Sequence, residues 1–113
     1  MNIVVIQGAL SSDPVTRTLA SGSVVVSLEL STVTDDGTLS VPVAWFDPPA
    51  EVAWAAGEVL LVTGVVRRRF FRSGGATQSR TEVVAAQVVP TARRRAARAA
   101  LGRAVAHLQA DPA

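Results

Sequence analysis

"EVLLVTGVVRRRFFRSGG", residues 58–75, is the stretch that decides how this chain folds. Val59, Leu61, Thr63, Val65, Arg67, Arg69 and Phe71 fall on one side of an extended strand; Leu60, Val62, Val66, Arg68, Phe70 and Arg72 fall on the other. Gly64 stands where so long a strand can bend from one sheet into another. Ser73-Gly74-Gly75 then turns the chain, and TQSRTEVVAAQVV, residues 77–89, returns as the second arm of a hairpin that Pro90 ends. Three consecutive arginines and two phenylalanines fill the strand's far end. They are either a hydrophobic strand running into a solvated basic turn, or a strand end that offers cations and π-faces to a polyanion carrying bases. Phe70 is a candidate core residue that draws Phe71 along with it.

Working outward, residues 24–32 alternate cleanly. Val24, Val26, Leu28, Leu30 and Thr32 point one way, and Val25, Ser27, Glu29 and Ser31 the other, which is a half-buried strand. TDDG at 34–37 is a turn, since Asp-Gly after a β-run closes hairpins far more often than it binds metal. In LSVPVAWF, residues 39–46, Leu39, Val41, Val43 and Trp45 form the expected core face, with Ser40, Pro42, Ala44 and Phe46 opposite. Pro42 points to an edge position or a bulge. NIVVIQGAL, residues 2–10, is an apolar strand broken by Gly8, and SSDPVTR after it is a turn in which Asp13 bonds backbone donors. DPPAEVAWAAG, residues 47–57, is punctuated as a short helix: Asp47 as cap, Pro48 in the first turn, Gly57 as stop.

Five strands, one short helix between the third and fourth, and no βαβ alternation predict a mainly β chain: a small, partly closed five-stranded barrel of the OB type over residues 1–90. Residues 91–113 form an Arg/Ala-rich C-terminal tail, helical or disordered, with Leu101, Val105 and Leu108 at i, i+4 and i+7. At 113 residues, 49% of them hydrophobic, one domain with a modest core is expected. No cysteine is present, so there is no disulfide framework and no thiolate metal site. The N-terminus has neither a basic leader nor an apolar run long enough to span a bilayer, so a cytoplasmic, nucleoid-associated protein without membrane attachment is expected.

The net charge is only +2, yet its distribution is uneven. Residues 1–63 hold one arginine and seven acids, residues 64–90 five arginines and one acid, and residues 91–113 again five arginines and one acid. The sign flips at the opening stretch. Catalytic constellations are missing: there is no nucleophile elbow, Walker lysine, HExxH or CxxC, and His107, the single histidine, reads as solvated. No enzyme, cofactor or metal is expected. Binding an unpaired strand needs cations along the phosphate path and aromatic faces for bases, each stacked base contributing about 1–3 kcal/mol whatever its identity. Arg67, Arg69 and Phe71 on one side of a strand have that arrangement.

The opening NIVVIQGALSSDPVTR, with Asn2, Gly8, Leu10, Asp13, Pro14 and Arg17, resembles the start of the bacterial single-stranded-DNA-binding protein family. So do Ser21-Gly22, Leu30-Ser31-Thr32, a short helix closed by Gly57, Val62-Thr63-Gly64, Arg67-Arg68-Arg69-Phe70-Phe71 and Glu82-Val83-Val84. These fall in order across residues 2–89. The resemblance implies an OB-fold, a homo-oligomer (a tetramer), and sequence-tolerant binding of single-stranded DNA in replication, repair and recombination. By position it assigns the stacking aromatics to Phe71 and Phe46, with Arg67 and Arg69 beside Phe71. Arg72 and Arg80 fall on the hairpin arm as phosphate contacts, and Arg17 lies in the first turn.

The chain also departs from the family. Ser40 stands where a tryptophan is usual, and Asp35-Asp36 occupy a loop that usually carries another. Trp54 aligns with a buried leucine of the helix, so it is expected in the core, as is Trp45. The usual acidic C-terminal tip is replaced by a basic segment ending Asp111-Pro112-Ala113, suited either to further phosphate contacts or to the acidic tip of a paralogous single-stranded-DNA-binding protein. The expectation is therefore sequence-independent binding and protection of single-stranded DNA, weaker than in typical members. The alternative is an OB-fold oligomerisation or regulatory module that acts through protein partners with little DNA binding.

Overall fold

The structure is a computed structural model that describes residues 1–110; the expectation for the segment ending Asp111-Pro112-Ala113 falls in part outside the described residues. Six strands and one helix follow in order: β1 (Val4–Leu10), β2 (Val15–Thr18), β3 (Val24–Thr34), β4 (Gly37–Phe46), β5 (Val59–Ser73), β6 (Ala76–Pro90) and α1 (Arg94–Ala110). β1 pairs antiparallel with β5 and β5 with β6; β6 runs parallel to β4 through Val43↔Val83 and Ala44↔Val84. β4 pairs antiparallel with β3, and β3 returns to β1 through Ala9↔Ser31 and Leu10↔Leu30, which closes a five-stranded barrel. Val26, Leu28, Leu30, Val43, Trp45, Leu60 and Val62 fill its interior with Leu10, Val83, Ala85 and Val88. The period-two faces assigned to residues 24–32, and to Val43 and Trp45, are thus the inward faces.

Two glycines stand where backbones nearly touch. A Cβ on Gly64 would lie 2.0 Å from the Val84 carbonyl oxygen, and one on Gly8 would lie 2.7 Å from that of Ser31. At Gly64 the β5–β6 register shifts, Thr63 facing Gln87 while Gly64 faces Ala85, so the bend expected there is a bulge in the hairpin. Gly8 does not interrupt its strand; it sits where the second strand of the closure crosses close by. Pro42 faces Glu29 on β3 and lies just before the short β4–β6 pairing, so its missing donor costs no ladder bond on that side.

Several expectations are corrected. Residues 47–57 form no helix. Asp47 adopts φ 48°, its carboxylate accepts from Val24 N at 2.9 Å, and Ala56 N donates to Asp13 Oδ1 at 2.8 Å. Gly57 N donates to Leu10 O at 2.8 Å, so backbone donors a helix would use internally are spent on the barrel. The segment still lays Trp54 against Trp45, their rings parallel within 5° and 5.8 Å apart, and it packs half-buried against the core without helical support. The predicted turn at SSDPVTR contains strand β2, which pairs with β3 from Val15↔Ser27 to Thr18↔Val24. Leu39 is 54% exposed, because β4 there has left the barrel. Phe70 is 67% exposed and is not a core residue.

The tail is helical. α1 docks through its smallest residues: Ala100 and Ala104 are buried, and Gln87 on β6 donates to both Thr63 Oγ1 and Ala100 O while accepting from Arg103. Leu101, Val105 and Leu108, the stripe picked from spacing, are not part of this buried face and remain 43–45% exposed. No helix among the described residues is long and apolar enough to cross a membrane.

Candidate nucleic-acid interface

Beyond Gly64 the β5–β6 hairpin leaves the barrel as a two-stranded arm whose turn has positive φ at Gly74 and Gly75. Arg67 and Arg69 on β5 point to the side of the arm that meets the end of β4. The Arg67 guanidinium carbon lies 5.4 Å from the centre of the Phe46 ring, and that of Arg69 lies 5.3 Å from the centre of Phe71. Both distances are within cation–π range. Phe46 and Phe71 are half-buried, so each ring is anchored while part of it stays accessible. The arrangement brings four of the predicted residues, distant in sequence as β4 and β5, into two cation–ring pairs.

Carboxylates complete the geometry. Glu82 on β6 lies directly across from Arg67; its Oε1 accepts from Arg69 Nε at 2.8 Å and stands 3.7 Å from an Arg67 terminal nitrogen. Its side chain is only 7% exposed, against 41% and 45% for the two arginines. Arg69 and Arg80 face each other across the hairpin, a like-charge pair that is unfavourable alone. It is relieved because each cation has its own carboxylate: Arg80 reaches Glu29 Oε1 on β3 at 2.7 Å. Ser40 donates to the other oxygen of Glu29 at 3.0 Å, so the position where the resemblance suggested tryptophan belongs to a polar network.

The remaining predicted cations stand apart. Arg72 donates to the Gly75 carbonyl at 2.9 Å and so braces the hairpin turn, and Arg17 lies exposed on β2 opposite Val25. Among the described residues no carboxylate lies within ion-pair distance of Arg17, Arg68 or Arg72. Asp35 and Asp36 sit in the β3–β4 turn, exposed, and no cluster of metal-ligating side chains occurs among the described residues.

A scan against protein-family models finds no match, and no curated protein matches the chain. Among solved structures, a deletion mutant of the single-stranded DNA binding protein from Thermus aquaticus is similar, with a TM-score of 0.66 and 28% identity. The similarity covers 80% of this chain and 40% of that one. Over the matched part the chain shares that protein's OB-fold. In this OB-fold the half-buried rings and their arginines occupy the outer surface where β4 ends and the hairpin arm begins.

Sequence reasoning assigned no role at the interface to Glu82 or Glu29. Glu82 was within reach: counting back from the turn, where Ser73 faces Ala76, sets Glu82 opposite Arg67. Glu29 was not, because its contact with Arg80 joins strands that meet only once the barrel closes.

Proposed function

We propose that this chain binds single-stranded DNA without regard to base sequence and protects it by occupancy. The observation that carries this is the pair of cation–ring contacts, Arg67 with Phe46 and Arg69 with Phe71, on one face of an OB-fold. Rings there take unpaired bases, and guanidiniums take phosphates by forked hydrogen bonds. Arg72, Arg80 and Arg17 extend the path along the arm and β2. With Ser40 and Asp35-Asp36 where further stacking platforms would stand, binding is weaker than in a fully aromatic groove, by about 1–3 kcal/mol for each platform lost. No covalent step is involved.

The protein works in this account as a homo-oligomer, a tetramer, in the cytoplasm at the nucleoid, wherever replication, repair or recombination exposes single strands. The basic helix α1 is suited to the acidic tip of a paralogous single-stranded-DNA-binding protein. The decisive experiment is a gel shift at low salt with a fluorescent strand of ~35 nucleotides beside the same sequence as duplex, a length that spans several OB-fold site sizes. Preferential retardation of the single strand is the expected result; no retardation, or equal retardation of both, overturns the proposal.

One observation favours a second function. The partly exposed stripe of Leu101, Val105 and Leu108 leaves apolar surface on α1, as an oligomerisation or regulatory module acting through protein partners would require. In that case the gel shift fails for both DNAs.

A further inference from the structure

The same surface that offers arginines to phosphate also supplies carboxylates to those arginines. Arg67, Arg69 and Arg80 carry three positive charges, and Glu82 and Glu29, both in contact with them, carry two negative ones. The acids are not incidental neighbours. Glu82 is held below the surface of the arm, with its oxygen shared between two guanidiniums that remain more than two-fifths exposed. Glu29 is fixed by two donors, Arg80 on one oxygen and Ser40 on the other. Arg69 uses Nε for Glu82, which leaves its terminal nitrogens outside that bond on a side chain 45% exposed.

We propose that Glu82 and Glu29 are affinity-limiting residues, built-in counterions that neutralise two of the three groove arginines before any nucleic acid arrives. The proposal rests on the DNA-binding function above and deepens it. Its physical content lies in what drives such binding. A protein cation that meets a phosphate releases a condensed counterion from the nucleic acid, and on single strands each such contact adds about −0.7 to the log–log salt slope. An arginine already paired with a carboxylate brings no net charge. Either it keeps its partner, so that the phosphate meets a neutral pair, or it leaves, and the abandoned carboxylate collects a cation from solution. Both routes cancel the release. Arg67, Arg69 and Arg80 therefore act with the electrostatic weight of one cation, and the unpaired Arg17 and Arg72 contribute a larger share of the salt dependence than their distance from the rings suggests.

The test is the salt dependence of poly(dT) binding for the full chain and for Glu29→Gln, Glu82→Gln and the double variant. Glutamine keeps the size and an accepting oxygen while removing the charge, and thermal melts of each variant report folding separately. Each single substitution is expected to tighten low-salt binding by about two- to fivefold, the scale of a surface ion pair, which Arg80–Glu29 is and which the exposed arginine side of the Glu82 pairs approaches. It should also steepen the slope by about 0.7, and the double variant by about 1.4, with the gain fading at high salt. Because the Arg80–Glu29 pair is exposed on both sides, Glu29→Gln tests the proposal even if Glu82→Gln melts early. Wild-type binding with variants of unchanged slope, or with weaker binding, overturns the inference and leaves DNA binding standing; a purely positioning role would produce that pattern. Binding seen only in the variants supports it in its strongest form. Absence of binding in all four proteins overturns both proposals.

Discussion

The two halves of β5 share one strand, one alternation and one partner strand, and they meet opposite fates. From Leu60 to Thr63 both faces are buried: Leu60 and Val62 point into the barrel, while Leu61 and Thr63 lie on the outer side that α1 helps to cover. From Val65 onward no residue of the strand is fully buried, and apart from Phe71 every residue to Ser73 is exposed, Val65, Val66 and Phe70 included. Gly64 separates them, at the bulge. Alternation assigns sides to a strand; whether a side is buried depends on whether anything lies over it. No second layer covers this part of β5, so its hydrophobic content is turned outward and its arginines stand at the surface, three of the arm's cations held by carboxylates.

Substitutions on either side of Gly64 can break that contrast. The largest effect is expected for Leu60→Ala: it empties a fully buried position in the barrel and should cost about 2–5 kcal/mol in denaturant unfolding. Gly64→Ala comes next. Its new Cβ would meet the Val84 carbonyl at 2.0 Å, a backbone atom that cannot swing aside, and about 1–3 kcal/mol of destabilisation or more is expected by the same measurement. A stability unchanged from wild type would mean that the bulge is not the fixed boundary described here.

On the arm the expectation reverses, with binding affected and folding spared. Phe71→Ala should weaken poly(dT) binding by about 1–3 kcal/mol in a fluorescence titration, with a melting temperature close to wild type. An unaltered affinity would remove stacking from the mechanism and leave charge alone. The smallest effect is expected for Phe70→Ala. Although it deletes a large aromatic ring, the ring is 67% exposed, so stability should stay within about 0.5 kcal/mol of wild type. A large loss there would reveal a partner that covers the ring in solution, such as a second copy of the chain.

Most of the barrel was legible because its signals are local. Clean alternation marked the inner faces of β3 and much of β4, and two glycines in a row marked the hairpin turn. The placement of Phe46 and Phe71 outside the core was recoverable because each stands on the side of its strand opposite to, or beyond, the core residues. The failures also share a cause. Residues 47–57 carry helix punctuation, yet Asp47 and Gly57 bond to Val24 and Leu10, partners that sequence neighbours cannot reveal. Leu39 continues the core parity of Val41 and Val43, but β4 has already passed the rim of the barrel there. In α1 the spacing picked out Leu101, Val105 and Leu108 but did not say which face would dock. Close docking on a twisted β-surface suited alanine instead, since Ala100 and Ala104 let the helix backbone approach.

By itself, the amino-acid order determined the five barrel strands, the inward faces of β3 and of β4 from Val41 on, the turn at Gly74-Gly75 and the concentration of positive charge beyond residue 63, because each depends on residues within a few positions of one another. Only the tertiary structure decided that Phe46 would meet Arg67 and that Glu29, in the acidic first half of the chain, would supply the counter-charge to Arg80 in the basic second half. Those contacts join strands far apart in sequence, and they exist only once β3 closes back on β1 and brings the two halves of the chain onto one surface.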